Sequence, residues 1–156
     1  MKNKIAITTA LACAGLALIV AGCGGGDDSS SSTTATALTK DEFITQADAI
    51  CKAGNETTNQ AANALFTGGK PSQEQVTQFA SDTLVPAIQT EIDGISALTP
   101  PAGDEDDVQA ILAAVSDALD QIKQDPTSLF ASSNEGPFKE ADQLAKAYGL
   151  KVCGQG

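Results

Sequence analysis

Apolar residues recur every three or four positions in four stretches of this chain, and glycine or proline separates each stretch from the next. The first stretch starts after Thr39 and stops at Gly68. In a helix this spacing collects the apolar side chains on one face, which must be buried against another element. No stretch shows the alternating pattern of a strand. The spacing therefore predicts an all-α fold.

The other three stretches complete the predicted architecture. The second begins at Ser72 and contains Pro86, the third follows Gly103, and the last opens at Pro137. Because Pro86 lacks an amide donor and clashes with the preceding turn, we expect the second helix to be kinked or split there. The connections are short, which favours antiparallel neighbours. The prediction is an antiparallel four-helix bundle over residues 39–156.

The third helix has the clearest amphipathic stripe. Its apolar residues are Val108, Ile111, Leu112, Val115, Ala118, Leu119 and Ile122. If Leu112 is buried, its truncation to alanine should cost about 2 to 5 kcal/mol. The turn that follows this helix carries Leu129 and Phe130, which we expect to close one end of the core.

The N-terminal segment has the three parts of a secretory signal. Lys2 and Lys4 precede an apolar run over residues 5–20, and Ala21 and Gly22 then lead into Cys23. This arrangement resembles the lipobox of bacterial lipoproteins. The resemblance implies that Cys23 carries a thioether-linked diacylglycerol and that residues 1–22 are removed. A transmembrane anchor is the alternative, although the run is shorter than the roughly 20 apolar residues that a bilayer requires.

These features divide the chain into three parts. Residues 1–22 form the predicted signal peptide, and residues 23–38 comprise the lipidated cysteine and a linker rich in Gly, Ser and Thr. The linker has no apolar period, so we expect it to be disordered. Residues 39–156 form the helical domain. The predicted location is the extracytoplasmic face of the cell membrane, with the lipid on Cys23 as the contact with the bilayer.

Four cysteines occur, and two of them are assigned by the anchor. Cys13 leaves with the signal peptide and Cys23 carries the lipid. Cys51 and Cys153 remain, and two cysteines in an exported domain predict one disulfide. Two free buried thiols or a redox pair are the alternatives, although a redox pair favours Cys-x-x-Cys spacing.

Two segments, residues 43–51 and 147–154, are similar to the paired ends of small helical lipoproteins from Gram-positive envelopes. This resemblance implies a helical architecture and the pairing of Cys51 with Cys153. The group has no established activity, so the resemblance implies no catalytic function.

The charge balance excludes one class of function. The chain has nine basic residues, all lysine, and 20 acidic ones. Removal of Lys2 and Lys4 with the signal leaves seven lysines against those 20 carboxylates, a formal charge of −13. Nucleic-acid binding requires basic groups that neutralise phosphates, so we expect no nucleic-acid partner.

The absent residue types narrow the chemistry further. The chain has no histidine and no tryptophan, and its one methionine is Met1. Histidine-dependent catalytic triads and di-iron sites cannot be formed, and neither methionine nor histidine remains after signal removal to bind haem or copper. We therefore predict neither a cofactor nor a metal site.

Adjacent carboxylates at residues 104–107 suggest calcium as an alternative. The Asp-x-Asp-x-Asp-Gly loop of an EF-hand is missing, however. Carboxylates in a first helical turn also interact favourably with the helix dipole and cap free amides. We favour the capping role for these residues.

The leading functional prediction is a non-enzymatic, lipid-anchored module that binds an envelope protein or a small ligand. The alternative is a carboxylate-based envelope hydrolase, which would need two carboxyls facing one cleft. Four carboxylates, however, lie on the polar faces of their helices, opposite the apolar stripes, namely Glu74, Asp82, Asp117 and Asp120. The solute receptor of a transporter is a third possibility, but this chain offers a single small domain rather than two lobes.

Overall fold

The computed structural model describes residues 36–130 and 136–155. The predicted signal peptide, Cys23 and the linker as far as residue 35 lie outside the described residues. The regular elements are α1 (Lys40–Phe66), α2 (Gln73–Phe79), a π-helical segment (Ala80–Leu84), α3 (Val85–Ser96), α4 (Glu105–Gln124), a 3-10 turn (Pro126–Phe130) and α5 (Lys139–Tyr148). No strand occurs among the described residues, so the predicted all-α class is confirmed. None of these helices is long and apolar enough to cross a bilayer.

Two side chains and one glycine set the ends of three helices. At the start of α1, the Thr39 hydroxyl accepts a hydrogen bond from the Glu42 amide, and the Thr39 amide donates to the Glu42 carboxylate at 2.9 Å. The hydrogen bonds from the Thr39 side chain and backbone lower the pKa of Glu42. Ser72 begins α2 with the same reciprocal pair of bonds. α5 ends at Gly149, whose φ of 113° is left-handed and therefore favours glycine.

The helical stretch from α2 to α3 changes its winding just before Pro86. Between Ala80 and Leu84 the backbone is π-helical, and the Val85 amide donates to the Ala80 carbonyl five residues back. Pro86 then lies in the first turn of α3. A π-turn widens the helix locally, which accommodates a residue that has no amide donor and a bulky ring. The irregularity expected at Pro86 is therefore a π-helical segment, which ends at Leu84, two residues before the proline.

The main cluster of buried side chains collects residues from the beginning of α1 and α4 and from the end of α3 and α5. Its members are Phe43, Ala47, Cys51, Ile95, Val108, Ile111, Ala145, Tyr148 and Leu150. Phe43 and Tyr148 meet edge to face, with ring centroids 6.0 Å apart. Such aromatic pairs stabilise a core beyond their buried area.

A polar contact joins three helices beside this cluster. The Tyr148 hydroxyl donates to the Asp104 carboxylate at 3.0 Å, and the Lys40 ammonium lies 3.3 Å from the same carboxylate. The ammonium also lies 4.0 Å from the centre of the Tyr148 ring, within the range of a cation–π contact. Burial and the bond to Asp104, with the negative charges of Asp104 and Asp107, raise the pKa of Tyr148.

This contact corrects the predicted role of Asp104. The residue occupies the N-cap position of α4, but its side chain makes no capping hydrogen bond. Its carboxylate is bound to Tyr148 and Lys40 instead, because the ends of α1 and α5 lie next to it. Glu105 accepts from the Gly103 amide at 2.8 Å.

The C-terminal tail is attached to α1 by a disulfide and by hydrogen bonds to one carboxylate. A disulfide joins Cys51 to Cys153, whose Cα atoms are 5.2 Å apart. One turn before Cys51, the Asp48 carboxylate accepts hydrogen bonds from the backbone amides of Lys151, Val152 and Cys153 at 2.8 to 3.3 Å. Asp48 thus supplies acceptors for amides that follow the end of α5 and have no partner in a helix.

One expectation about the core was wrong. Phe130 is 52% exposed and does not close the core. Its ring lies edge to face with that of Phe66, which is 50% exposed, at a centroid distance of 6.2 Å. Leu112 is half-buried and packs against the core cluster, whereas Leu119 on the same helix is 1% exposed. Phe130 and Leu112 both line the cavity described below.

We predict that Asp48→Ala lowers the free energy of unfolding by about 1 to 3 kcal/mol, because three backbone amides lose a charged acceptor. Glu56→Ala is the matched control, since Glu56 is an exposed carboxylate on the same helix. Urea unfolding followed by circular dichroism measures both. Equal stability of the two variants would show that the Asp48 bonds contribute nothing.

Candidate ligand-binding cavity

A cavity of about 540 Å³ lies between α1, the α2–α3 stretch, α4, the 3-10 turn, α5 and the tail that follows α5. Most of its lining side chains are apolar. The large apolar residues among them that are less than fully buried are Leu65, Phe66, Phe79, Leu84, Ile92, Leu112, Val115, Leu129, Phe130 and Phe138. A volume of roughly 300 to 1,000 Å³ with mostly apolar walls is typical of small-molecule sites.

The packing of α1 explains where the cavity forms. Phe43, Ala47 and Cys51 are buried in the first half of this helix, whereas no residue of α1 after Cys51 is buried. The predicted apolar stripe continues through Ala61 and Leu65, but these side chains are half-buried. In the second half of α1, the face of this stripe borders the cavity.

Two carboxyl groups, those of Glu91 and Asp142, lie in the described lining. Glu91 of α3 lines the cavity, and its side chain packs against Gly54 of α1. A Cβ atom added at Gly54 would lie 1.6 Å from Glu91 Oε1, so only glycine leaves room for the carboxyl in this position. Among the described residues, no side chain or amide donates a hydrogen bond to the Glu91 carboxyl.

The surroundings of Glu91 change its acidity. Burial raises the pKa of this carboxyl from its ordinary value of 4.5 to about 7. Transfer out of water disfavours the charged form, and no cation or hydrogen-bond donor opposes that effect here. Carboxyls with raised pKa values and few partners are enriched at functional sites.

The remaining polar residues of the cavity wall are few. Asn55, Thr58 and Asn59 of α1 lie along one side, and Gln155 belongs to the tail. The ionisable residues in the described lining are Glu91 and Asp142, and both are acidic. The disulfide cysteines, Cys51 and Cys153, also line the cavity.

The carboxylates considered for a hydrolase lie elsewhere. Glu74, Asp82, Asp117 and Asp120 are all exposed, as their helical positions predicted. Within the described part of the chain, no group of three or more Cys, Asp or Glu side chains is placed to hold a metal ion.

Sequence reasoning did not identify Glu91 as a site residue. The signal was present, because Glu91 follows Ala87 and Ile88 at helical spacing and precedes Ile95. A carboxyl within an apolar stripe is unusual, because the stripe faces the interior whereas carboxyls are normally exposed to water. Cys23, the predicted lipidation site, lies outside the described residues.

Comparisons with protein-family models, with curated proteins and with solved structures found no match for this chain.

We predict that Glu91→Gln changes how stability depends on pH. Since the folded-state pKa of about 7 lies above the ordinary 4.5, the wild-type protein loses stability as pH rises through this interval and the loss is complete above it. Allowing for solvent screening of a partly exposed group, the loss from this carboxyl should be about 1 to 2 kcal/mol.

Denaturant unfolding at pH 5 and pH 8 measures this difference. Glu91→Gln should lose less stability between the two pH values than the wild type, because an amide does not ionise. Glu74→Gln is the control, since Glu74 is exposed on α2, and it should behave as the wild type. An unchanged pH dependence in Glu91→Gln would contradict the assignment.

Proposed function

We propose that this chain is a lipid-anchored, extracytoplasmic helical protein that binds a small apolar ligand in the cavity beside α1. The observation that carries the proposal is the mainly apolar wall of a cavity of about 540 Å³, in which Glu91 receives no hydrogen bond from any described residue. Ligand binding would remove the half-buried apolar side chains of that wall from water, which is a favourable transfer.

A binding role accounts for the cavity better than catalysis does. A carboxylate hydrolase needs two carboxyls placed on either side of one bond and a polar cleft for the sugar. The wall here consists mainly of aliphatic and aromatic side chains. Among the described residues, Phe66 and Phe130 are the large apolar side chains that are exposed, and both rings line the cavity rather than a separate docking surface for an envelope protein.

The proposed architecture is an antiparallel four-helix bundle in which the continuous α2–α3 stretch serves as the second helix. Its support is the composition of the core cluster, where Phe43 near the start of α1 meets Ile95 near the end of α3. The same cluster joins Val108 near the start of α4 to Tyr148 at the end of α5. The disulfide between Cys51 and Cys153 belongs to this proposal as a permanent bond of the exported protein.

The proposed anchor is the lipid on Cys23, supported by the sequence of residues 1–23. Two acyl chains give a stable attachment where one would be marginal, since each buried methylene contributes about 0.8 kcal/mol. The acidic charge of the domain would keep it off an anionic membrane surface. Residues 24–38 would then serve as a spacer.

Lipidation predicts the fate of a Cys23→Ala variant. Without the acceptor thiol, the chain should remain a full-length precursor that keeps residues 1–22 and takes up no fatty-acid analogue during metabolic labelling. Gel mobility and the label measure the two effects. Cys13→Ala is the matched control and should be processed and labelled normally. Labelling that survives in Cys23→Ala would contradict the anchor.

The cavity predicts where an apolar probe binds. The full chain in nanodiscs of zwitterionic lipid should be photolabelled by an uncharged alkyl diazirine on peptides that line the cavity. Ala62→Trp should reduce this labelling several-fold, because Ala62 lines the cavity and an indole would occupy part of it. Peptide mapping by mass spectrometry gives the labelled positions.

Ala64→Trp is the control for this experiment, since Ala64 is exposed on the same helix and does not line the cavity. It should be labelled as the wild type. Label spread evenly over exposed surfaces, or equal labelling of both tryptophan variants, would contradict the binding function.

A further inference from the structure

The position of Glu91 constrains the chemistry of the ligand beyond its being apolar. The carboxyl lies between two helices, in the space that Gly54 leaves beside it. Among the described residues it receives no hydrogen bond, and its partial burial disfavours the charged form. A ligand that supplies the donor would offset this effect.

The charges around the cavity indicate the kind of donor. The described wall contains two ionisable residues, Glu91 and Asp142, and no lysine. The chain as a whole carries a formal charge of −11. An anionic amphiphile such as a fatty acid would meet repulsion here, whereas an ammonium would form a charge-assisted hydrogen bond with a carboxylate.

We infer that the ligand is a cationic amphiphile, an alkyl chain or other apolar body bearing one amine, and that Glu91 is its specificity-determining contact. The apolar part occupies the cavity between α1 and α4, and the ammonium donates to the Glu91 carboxylate beside Gly54. This inference rests on the proposed binding function, and it adds the ligand class and the residue that selects it.

Two photolabels with the same decyl chain and diazirine test the inference on the full chain in zwitterionic nanodiscs. One label ends in an amine and the other in a carboxylate. The amine should label the cavity peptides at about a tenfold lower concentration, as expected for one charge-assisted bond in a partly buried site. In Glu91→Gln this preference should fall to about twofold or less, while the uncharged alkyl diazirine still labels the cavity.

Two further variants separate the position of the carboxyl from its charge. Gly54→Ala keeps Glu91 but displaces its carboxyl, and should also lose the preference for the amine. Asp93→Asn removes an exposed carboxylate from the same helix and should keep the preference. The second control corrects for the general attraction of an acidic protein for cations.

The outcomes distinguish the inference from the function on which it rests. Equal labelling by the amine and the carboxylate, or an amine preference that persists in Glu91→Gln, overturns the ligand class while cavity labelling by the uncharged probe upholds the binding function. Failure of all three probes to label the cavity overturns both.

Discussion

The attachment of the C-terminal tail to α1 is the interaction on which the rest of the structure depends. The Asp48 carboxylate accepts hydrogen bonds from three backbone amides of the tail, and the disulfide of Cys51 lies one turn further along the helix. In the chain-entropy model, a disulfide that closes a loop of 102 residues lowers the entropy of the unfolded chain and so raises the free energy of unfolding by about 4 to 5 kcal/mol. That is a large share of the roughly 5 to 15 kcal/mol by which ordinary domains are stable. The attachment therefore stabilises a domain whose apolar packing is incomplete.

The consequence is an uneven use of α1. Its first half contributes Phe43, Ala47 and Cys51 to the core, where Tyr148 and Leu150 cover them. Its second half borders a cavity, and none of its residues is buried. Side chains of α2 and of the end of α4 are buried as well, namely Val76, Leu119 and Ile122. The packed core around the cavity keeps half-buried apolar side chains beside an open space, which suits the domain to bind an apolar molecule.

Local chemistry made much of the fold predictable from the sequence. The first two helical stretches were predicted to start after Thr39 and at Ser72, and capping boxes at these residues begin α1 and α2. Long-range contacts were not predictable in the same way. The sequence around Asp104 predicted a helix cap, because no nearby residue indicates its hydrogen bond with Tyr148, which lies 44 residues away. Glu91 was missed because periodicity locates a face but does not show whether a helix or a cavity lies against it.

Amide hydrogen exchange along α1 tests this account most directly. We predict that amides between Phe43 and Cys51 exchange far more slowly than those between Thr58 and Phe66, since the first group contains the buried side chains of α1 and the second contains none. Exchange should slow in the second group when the uncharged alkyl diazirine is added to the full chain. Uniform protection along the whole helix, unchanged by this probe, would contradict both the uneven packing and the binding function derived from it.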